Sequence, residues 1–345
     1  MNKSSPILVT GATGFIGSYV LRSLVLSGYE NLIALRRSQS RMDLVKEVAD
    51  RVTWYEADLL DSWTLHEILR GIKGVIHAAA MVSFNRKDHN LMMKINVEGT
   101  ANVVNACIEN NIEKLVHVSS IAVFSRTSEK QVINENTPWD FQARNTAYAI
   151  SKYKAEMEVW RGGSEGLSIA IINPSLVLGS GFWDETSVSL FKTVHDKLPF
   201  YPEGVNGFVD VRDVAKAAIK LLSNGITNRR YIISGGNYTY REILEKIAIA
   251  LNRQPPSIKL TKLIRELAIL QLWLKSIFDK NQKVITRETL QNASSYYHFE
   301  NDRSIKDLGL KYRDVNETIS ETASQLLHAA KNNFSPQYLA IHYPG

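Results

Sequence analysis

The stretch Gly11-Ala12-Thr13-Gly14-Phe15-Ile16-Gly17 constrains this chain more than any other, because it follows the apolar run Ile7-Leu8-Val9 and opens a segment with helical spacing of apolar residues. Three glycines at these steps have separate tasks at a strand-to-helix turn. One permits the sharp bend, one lets the backbone approach a pyrophosphate, and one lets helix and strand pack closely, with the helix N-terminus facing the phosphates. A plain tight turn would also use glycine. The strand-then-helix placement instead favours a dinucleotide bordered by Gly11, Thr13, Gly14, Phe15, Ile16 and Gly17.

From Pro6 to about Asn173, apolar or β-branched runs begin near Ile7, Leu32, Val52, Gly74, Lys114 and Ser168, separated by segments of helical periodicity at 15–28, 41–50, 62–71, 90–110 and 147–162. That alternation predicts an α/β fold, a doubly wound parallel sheet of the Rossmann type, with strands buried on both faces. A chain of 345 residues, 44% of them hydrophobic, can bury such a core and a smaller second unit. The expected division is a dinucleotide-binding domain over 1–173 and a substrate-binding cap region over 174–345, with about 208–233 returning to the main domain. Helices are expected near 212–223, 240–251, 259–279 and 315–331, followed by a tail from Ser335.

The net charge of +6 is spread without a run of like charges, and the pI is about 9.1. This fits affinity for an anionic small molecule better than for nucleic acid. The single cysteine, Cys107, excludes an internal disulfide and a cysteine zinc site, and its apolar setting predicts core packing. No metal-ligand set is discernible. Without an apolar leader or a stretch of about 18 uncharged apolar residues, the chain is expected to be cytoplasmic with no transmembrane span.

The second strand ends in Arg36-Arg37, where an acidic residue would otherwise accept bonds from an adenosine ribose diol. Two guanidiniums pair with a 2′-phosphate, so the expected cofactor is NADP(H) in preference to NAD(H). Asp58 and Leu59 after the third strand, and Ala78, Ala79 and Ala80 after the fourth, reach the same cleft. His77 is expected to be a packed strand histidine.

Tyr148 and Lys152 stand four apart on one helical face. A nearby ammonium and a cationic nicotinamide would draw the phenol toward the range of a general acid or base. Ser119 and Ser120 end the fifth strand, and both hydroxyls are expected to point into that cleft. In the cap, Leu263, Leu267, Leu270, Leu274 and Phe278 form an apolar stripe, with Arg265, Lys275 and Asp279 off it. Such a stripe packs on the body, or it lines an apolar pocket with Met81, Ser83, Phe182 and Trp183, or it touches a membrane surface peripherally.

These motifs, with Asn96-Val-Glu-Gly-Thr100, Asn173-Pro174-Ser175 and Phe208-Val-Asp210-Val-Arg-Asp213, resemble the extended short-chain dehydrogenase/reductase superfamily, also called the NAD-dependent epimerase/dehydratase family. The resemblance covers most of the chain. It implies a catalytic triad of Ser120, Tyr148 and Lys152, with Lys152 also binding the nicotinamide ribose and Pro174, Ser175 and Leu176 lying along the nicotinamide. The Arg37 position and residues 77–84 and 173–179 are most similar to the dihydroflavonol-4-reductase and 3-beta-hydroxysteroid dehydrogenase branch. That branch interconverts a carbonyl and an alcohol on an apolar small-molecule substrate. Ile121-Ala122 stands where the sugar-nucleotide dehydratases resemble an Asp-Glu pair, which disfavours dehydration. A nucleotide-sugar epimerase with tightly bound NAD, and a non-catalytic dinucleotide sensor, remain the alternatives. The resemblance also implies a homodimer through helices 90–110 and 147–162.

Overall fold

A computed structural model describes residues 1–126, 130–143, 145–261 and 293–341. Seven strands form a parallel sheet: β1 (Ile7–Thr10), β2 (Leu32–Arg36), β3 (Thr53–Glu56), β4 (Gly74–His77), β5 (Lys114–Val118), β7 (Ile169–Pro174) and β11 (Arg229–Ile233). Their order is β11-β7-β5-β4-β1-β2-β3. Every residue of β1, β4, β5 and β7 is buried, as expected of strands covered on both faces. Alternation decides the layers. Ile7 and Val9 face one core, shared with α1 (Phe15–Leu26) and α7 (Val211–Ser223), while Leu8 faces the other, shared with α4 (Gly99–Glu109). Strand order reverses between β1 and β4, so their carboxyl ends open the crevice where ligands bind in such sheets.

Two predicted helices take other forms. Residues Asp43–Arg51 make 3-10 turns that bury Leu44, Val45 and Val48. The segment predicted as one helix over 90–110 is α3 (His89–Met93), a π turn (Lys94–Glu98) and α4. Helix α2 (Ser62–Ile68) and the long α5 (Ala147–Ser164) flank α4.

A second sheet runs β12 (Gly236–Thr239), β10 (Val205–Asp210), β14 (Tyr296–Phe299), β6 (Lys130–Ile133), with β8 (Leu176–Leu178) parallel to β10. Beside it, α6 (Ser189–His195), α8 (Tyr240–Ala250) and α10 (Val315–Ala330) enclose a core that includes Phe191, Ile247 and Leu326; α9 (Asp302–Leu308) lies near β11. The joint with α7 is ionic. Asp210 accepts the Arg212 N–H at 2.7 Å and the Arg212 guanidinium at 3.0 and 2.6 Å, Thr318 donates to Asp210 at 2.8 Å, and Glu321 pairs with Arg212 at 2.7 Å.

The tail from Ser335 is docked on the body. Leu339 is buried and donates its N–H to the Tyr19 hydroxyl at 2.6 Å, the Arg22 guanidinium lies 3.6 Å from the Tyr338 ring centre, and the Ala340 carbonyl accepts from Arg212 at 3.2 Å. Tyr338, Leu339 and Ile341 bring apolar surface that the α1–α7 core absorbs. The helix predicted from 259 begins differently: β13 (Ile258–Lys259) pairs with β9 (Phe200–Tyr201). Residues 262–292, with the apolar stripe from Leu263 to Phe278, lie outside the described residues. Among the described residues no helix is long and apolar enough to cross a membrane.

Candidate active site

Gly11 has a φ of 68°, and a Cβ there would come within 2.6 Å of the Ala79 backbone nitrogen. A Cβ on Gly17 would lie 2.1 Å from the Gly11 carbonyl oxygen. The β1–α1 turn and the end of β4 are thus in backbone contact. Gly14 caps α1 with no side-chain bond, which leaves the first-turn N–H groups and the positive end of the helix dipole free for an anion. Thr13, Phe15 and Ile16 are half-buried at this turn. The cradle fits a dinucleotide diphosphate.

Arg36 is half-buried and Arg37 exposed at the end of β2, and among the described residues neither has an acidic partner. Asp58 is exposed and accepts the Leu60 N–H at 2.9 Å; the Leu59 carbonyl accepts from Asn102 at 2.9 Å. Ala78 and Ala79 are half-buried and Ala80 exposed beyond β4. His77 is buried between Thr10, at 2.6 Å, and Thr100, at 3.0 Å. Burial, with a smaller contribution from the Lys152 charge, drops its pKa to about 3, so it is a neutral packed ring. Cys107 is buried in the core, which pushes its thiol pKa up.

Thr146 caps α5 by accepting the Ala149 N–H at 3.0 Å, and two residues on, in the first turn, Tyr148 comes close to Ser120. The Ser120 Oγ accepts the Ala122 N–H at 3.1 Å, and the half-buried Tyr148 side chain lies near enough for that hydroxyl to act on its phenol. Burial raises the Tyr148 pKa, and the Ser120 hydroxyl lowers it by less. The phenol is therefore raised above its ordinary value and stays protonated at neutral pH. Lys152 is buried and donates from Nζ to the Val118 carbonyl at 3.0 Å. Burial lowers its pKa to about 8 against the opposing pull of Glu156.

Ser119 departs from expectation. Its hydroxyl donates inward to Glu156 Oε2 at 2.6 Å, because successive residues of an extended strand end point to opposite sides. Only Ser120 faces Tyr148. Past β7, Pro174 gives way to Ser175, whose N–H pairs with the Ile233 carbonyl at 2.9 Å. The Ser175 hydroxyl is buried without a partner among the described residues, and Leu176 is half-buried at the start of β8.

The four residues expected near a substrate separate. Met81 is clamped by Asn96, which accepts its N–H at 2.7 Å and donates to its carbonyl at 2.9 Å while also bonding Ser151 at 3.0 Å. The π turn carries Asn96 to this clamp, a common use of such turns. The Ser83 hydroxyl donates to Asp88 at 2.6 Å within its own loop, next to Phe84, whose ring lies edge-on to Tyr148 at 5.9 Å. Phe182 is covered by the Arg41 guanidinium at 3.6 Å, and Arg41 also pairs with Glu185. Trp183 is buried in the second core and donates to the Ser335 carbonyl at 3.0 Å. The last two are packing residues in this arrangement. Among the described residues no metal-ligand cluster is present.

The Asn96 clamp, the buried Glu156 and His117 and the half-buried Arg230 were not foreseen from sequence. Glu156 was signalled, since it falls four residues after Lys152 on the same inward face. Nothing local in β11 marks Arg230.

The NAD dependent epimerase/dehydratase family profile matches residues 7–234. Cinnamoyl-CoA reductase 1 of Petunia hybrida is 28% identical, the match covering 93% of this chain and 91% of that protein. Sterol demethylase protein B of Methylococcus capsulatus is 26% identical over 88% of this chain and 92% of its own length. The crystal structure of gox2253 superposes with a TM-score of 0.80 at 30% identity, covering 95% of this chain and 99% of that one. The chain belongs to the NAD dependent epimerase/dehydratase family.

Proposed function

We propose that this protein is an NADPH-linked reductase of a carbonyl on an apolar small molecule, with Tyr148 as the proton donor. The observation that carries the reading is the convergence of Ser120 at the end of β5 with Tyr148 and, one helical turn further on, a buried Lys152 bonded to the Val118 carbonyl of that same strand. The name of the Petunia relative, a reductase, supports it.

When bound, the dinucleotide supplies hydride to the carbonyl carbon. The first turn of α1 binds its diphosphate, Arg36 and Arg37 take the 2′-phosphate, and Lys152 holds the nicotinamide ribose. Ser120 and Tyr148 hold the carbonyl oxygen, and the Tyr148 hydroxyl passes its proton to that oxygen as negative charge develops there. Met81 and Phe84 border the substrate. The same reading takes the protein as a cytoplasmic homodimer joined through α4 and α5.

Fluorescence titration tests the cofactor assignment. NADPH should bind more tightly than NADH by about 1–3 kcal/mol, and Arg37→Ala should remove most of that difference. Equal affinities in the unaltered protein would overturn the preference.

A further inference from the structure

We propose that Glu156, backed by Arg230, is a positioning residue of the Tyr148–Lys152 site: its carboxylate fixes the strand end that presents Ser120 and supplies the counter-charge to the buried Lys152 ammonium. The inference rests on the reading of Lys152 as part of that site.

Glu156 is fully buried one helical turn beyond Lys152. A lone carboxylate there would be costly, and four donors offset it. Oε2 accepts from Ser119 at 2.6 Å and from Asn173 Nδ2 at 2.8 Å; Oε1 accepts from Arg230 at 3.1 Å and from Trp160 at 3.3 Å. Ser119 directly follows β5 and Asn173 lies near the end of β7. Asn173 also donates to the Ser120 carbonyl at 3.2 Å, so the carboxylate ties down both sides of the peptide that carries Ser120. Arg230 is anchored independently, by the Glu135 carbonyl at 2.9 Å, the Thr137 carbonyl at 3.3 Å and the Phe124 ring at 4.6 Å.

Electrostatics point the same way. The groups that interact with Lys152 are Glu156 on its own helix and the rings of His77 on β4 and His117 on β5, with Tyr148 one turn earlier on α5. Burial keeps both rings uncharged, and the His117 nitrogens have no partner among the described residues. On the other elements against α5, His89, Lys94, Glu98 and Glu109 are exposed, and the Cys107 thiol is held neutral by burial. Among the described residues Glu156 is thus the anion that opposes the desolvation of Lys152.

The test is the titration of Lys152 by NMR in the full chain carrying lysine labelled with 13C at Cε, its signal assigned by loss in Lys152→Met. Glu156→Gln keeps the shape and removes the charge, and should move the titration down by about one pH unit or more. Arg230→Met removes the cation behind the carboxylate and should move it up; Arg230→Lys should restore it most of the way. The opposite signs separate positioning from a merely structural role. If both variants leave the titration unmoved, or move it in the same direction, the proposal is wrong, and if one does not fold the other still decides the sign. Unchanged NADPH affinity in Lys152→Met would instead count against the role of Lys152, while leaving the coupling between Glu156 and Lys152 measurable.

Discussion

At the β1–α1 turn, Gly11 and Gly17 bring backbone against backbone with no room for a side chain, whereas at the joint between α7 and the second sheet Asp210 and Arg212 bring charge against charge. The first contact joins the chain to itself within a few residues and across to β4. The second draws in Thr318, Glu321 and Ala340, more than a hundred residues away. A steric contact of this kind fails with one added carbon. An ionic joint fails when one partner leaves the others buried and unpaired.

The steric contact is most vulnerable at Gly17. Gly17→Ala sets a methyl group against a carbonyl with no flexible side chain to give way, so the expected loss is roughly 4 kcal/mol or more, with dinucleotide binding lost as well. Thermal unfolding and NADPH titration would read both. The second region should respond less. Arg212→Met leaves the buried Asp210 without its guanidinium and should cost about 3 kcal/mol in denaturant unfolding, with NADPH affinity nearly unchanged.

A smaller effect sharpens the electrostatic side. Burial, outweighing the Arg313 N–H that donates at 2.8 Å, pushes the Asp213 pKa up to about 6. The native state then binds this proton more tightly than the unfolded chain, whose carboxylate titrates near about 3.9, so stability falls as pH rises from about 4 to about 6. Asp213→Asn should flatten that part of the stability curve and gain on the order of 1–2 kcal/mol at neutral pH. A curve as steep in the variant as in the parent would mean that Asp213 is not the group responsible.

The same contrast explains what could be read from sequence. Gly11, Gly14 and Gly17, the buried β-strand runs and the Tyr148–Lys152 spacing follow from local rules of backbone freedom and period, and the strand order placed them at one crevice. Ser119 was misjudged because the direction of a side chain at a strand end depends on residue parity and on a partner thirty-seven residues away. Phe182 and Trp183 look like pocket residues by type, yet Arg41 and the Ser335 carbonyl claim them. The segment from Ser335 read as a tail because nothing local reveals that Tyr19 and Arg22 wait for it.

In the proposed reaction, Tyr148 donates the proton to the reduced carbonyl. The most direct test of that role is NADPH oxidation with a panel of aromatic, steroid-like and aliphatic carbonyls, run beside nucleotide-sugar epimerisation, for the unaltered chain and for Tyr148→Phe. Carbonyl reduction should fall roughly 100- to 10,000-fold in Tyr148→Phe while NADPH affinity stays within about twofold. Ordinary turnover in Tyr148→Phe, or robust epimerisation with no carbonyl reduction, would contradict it.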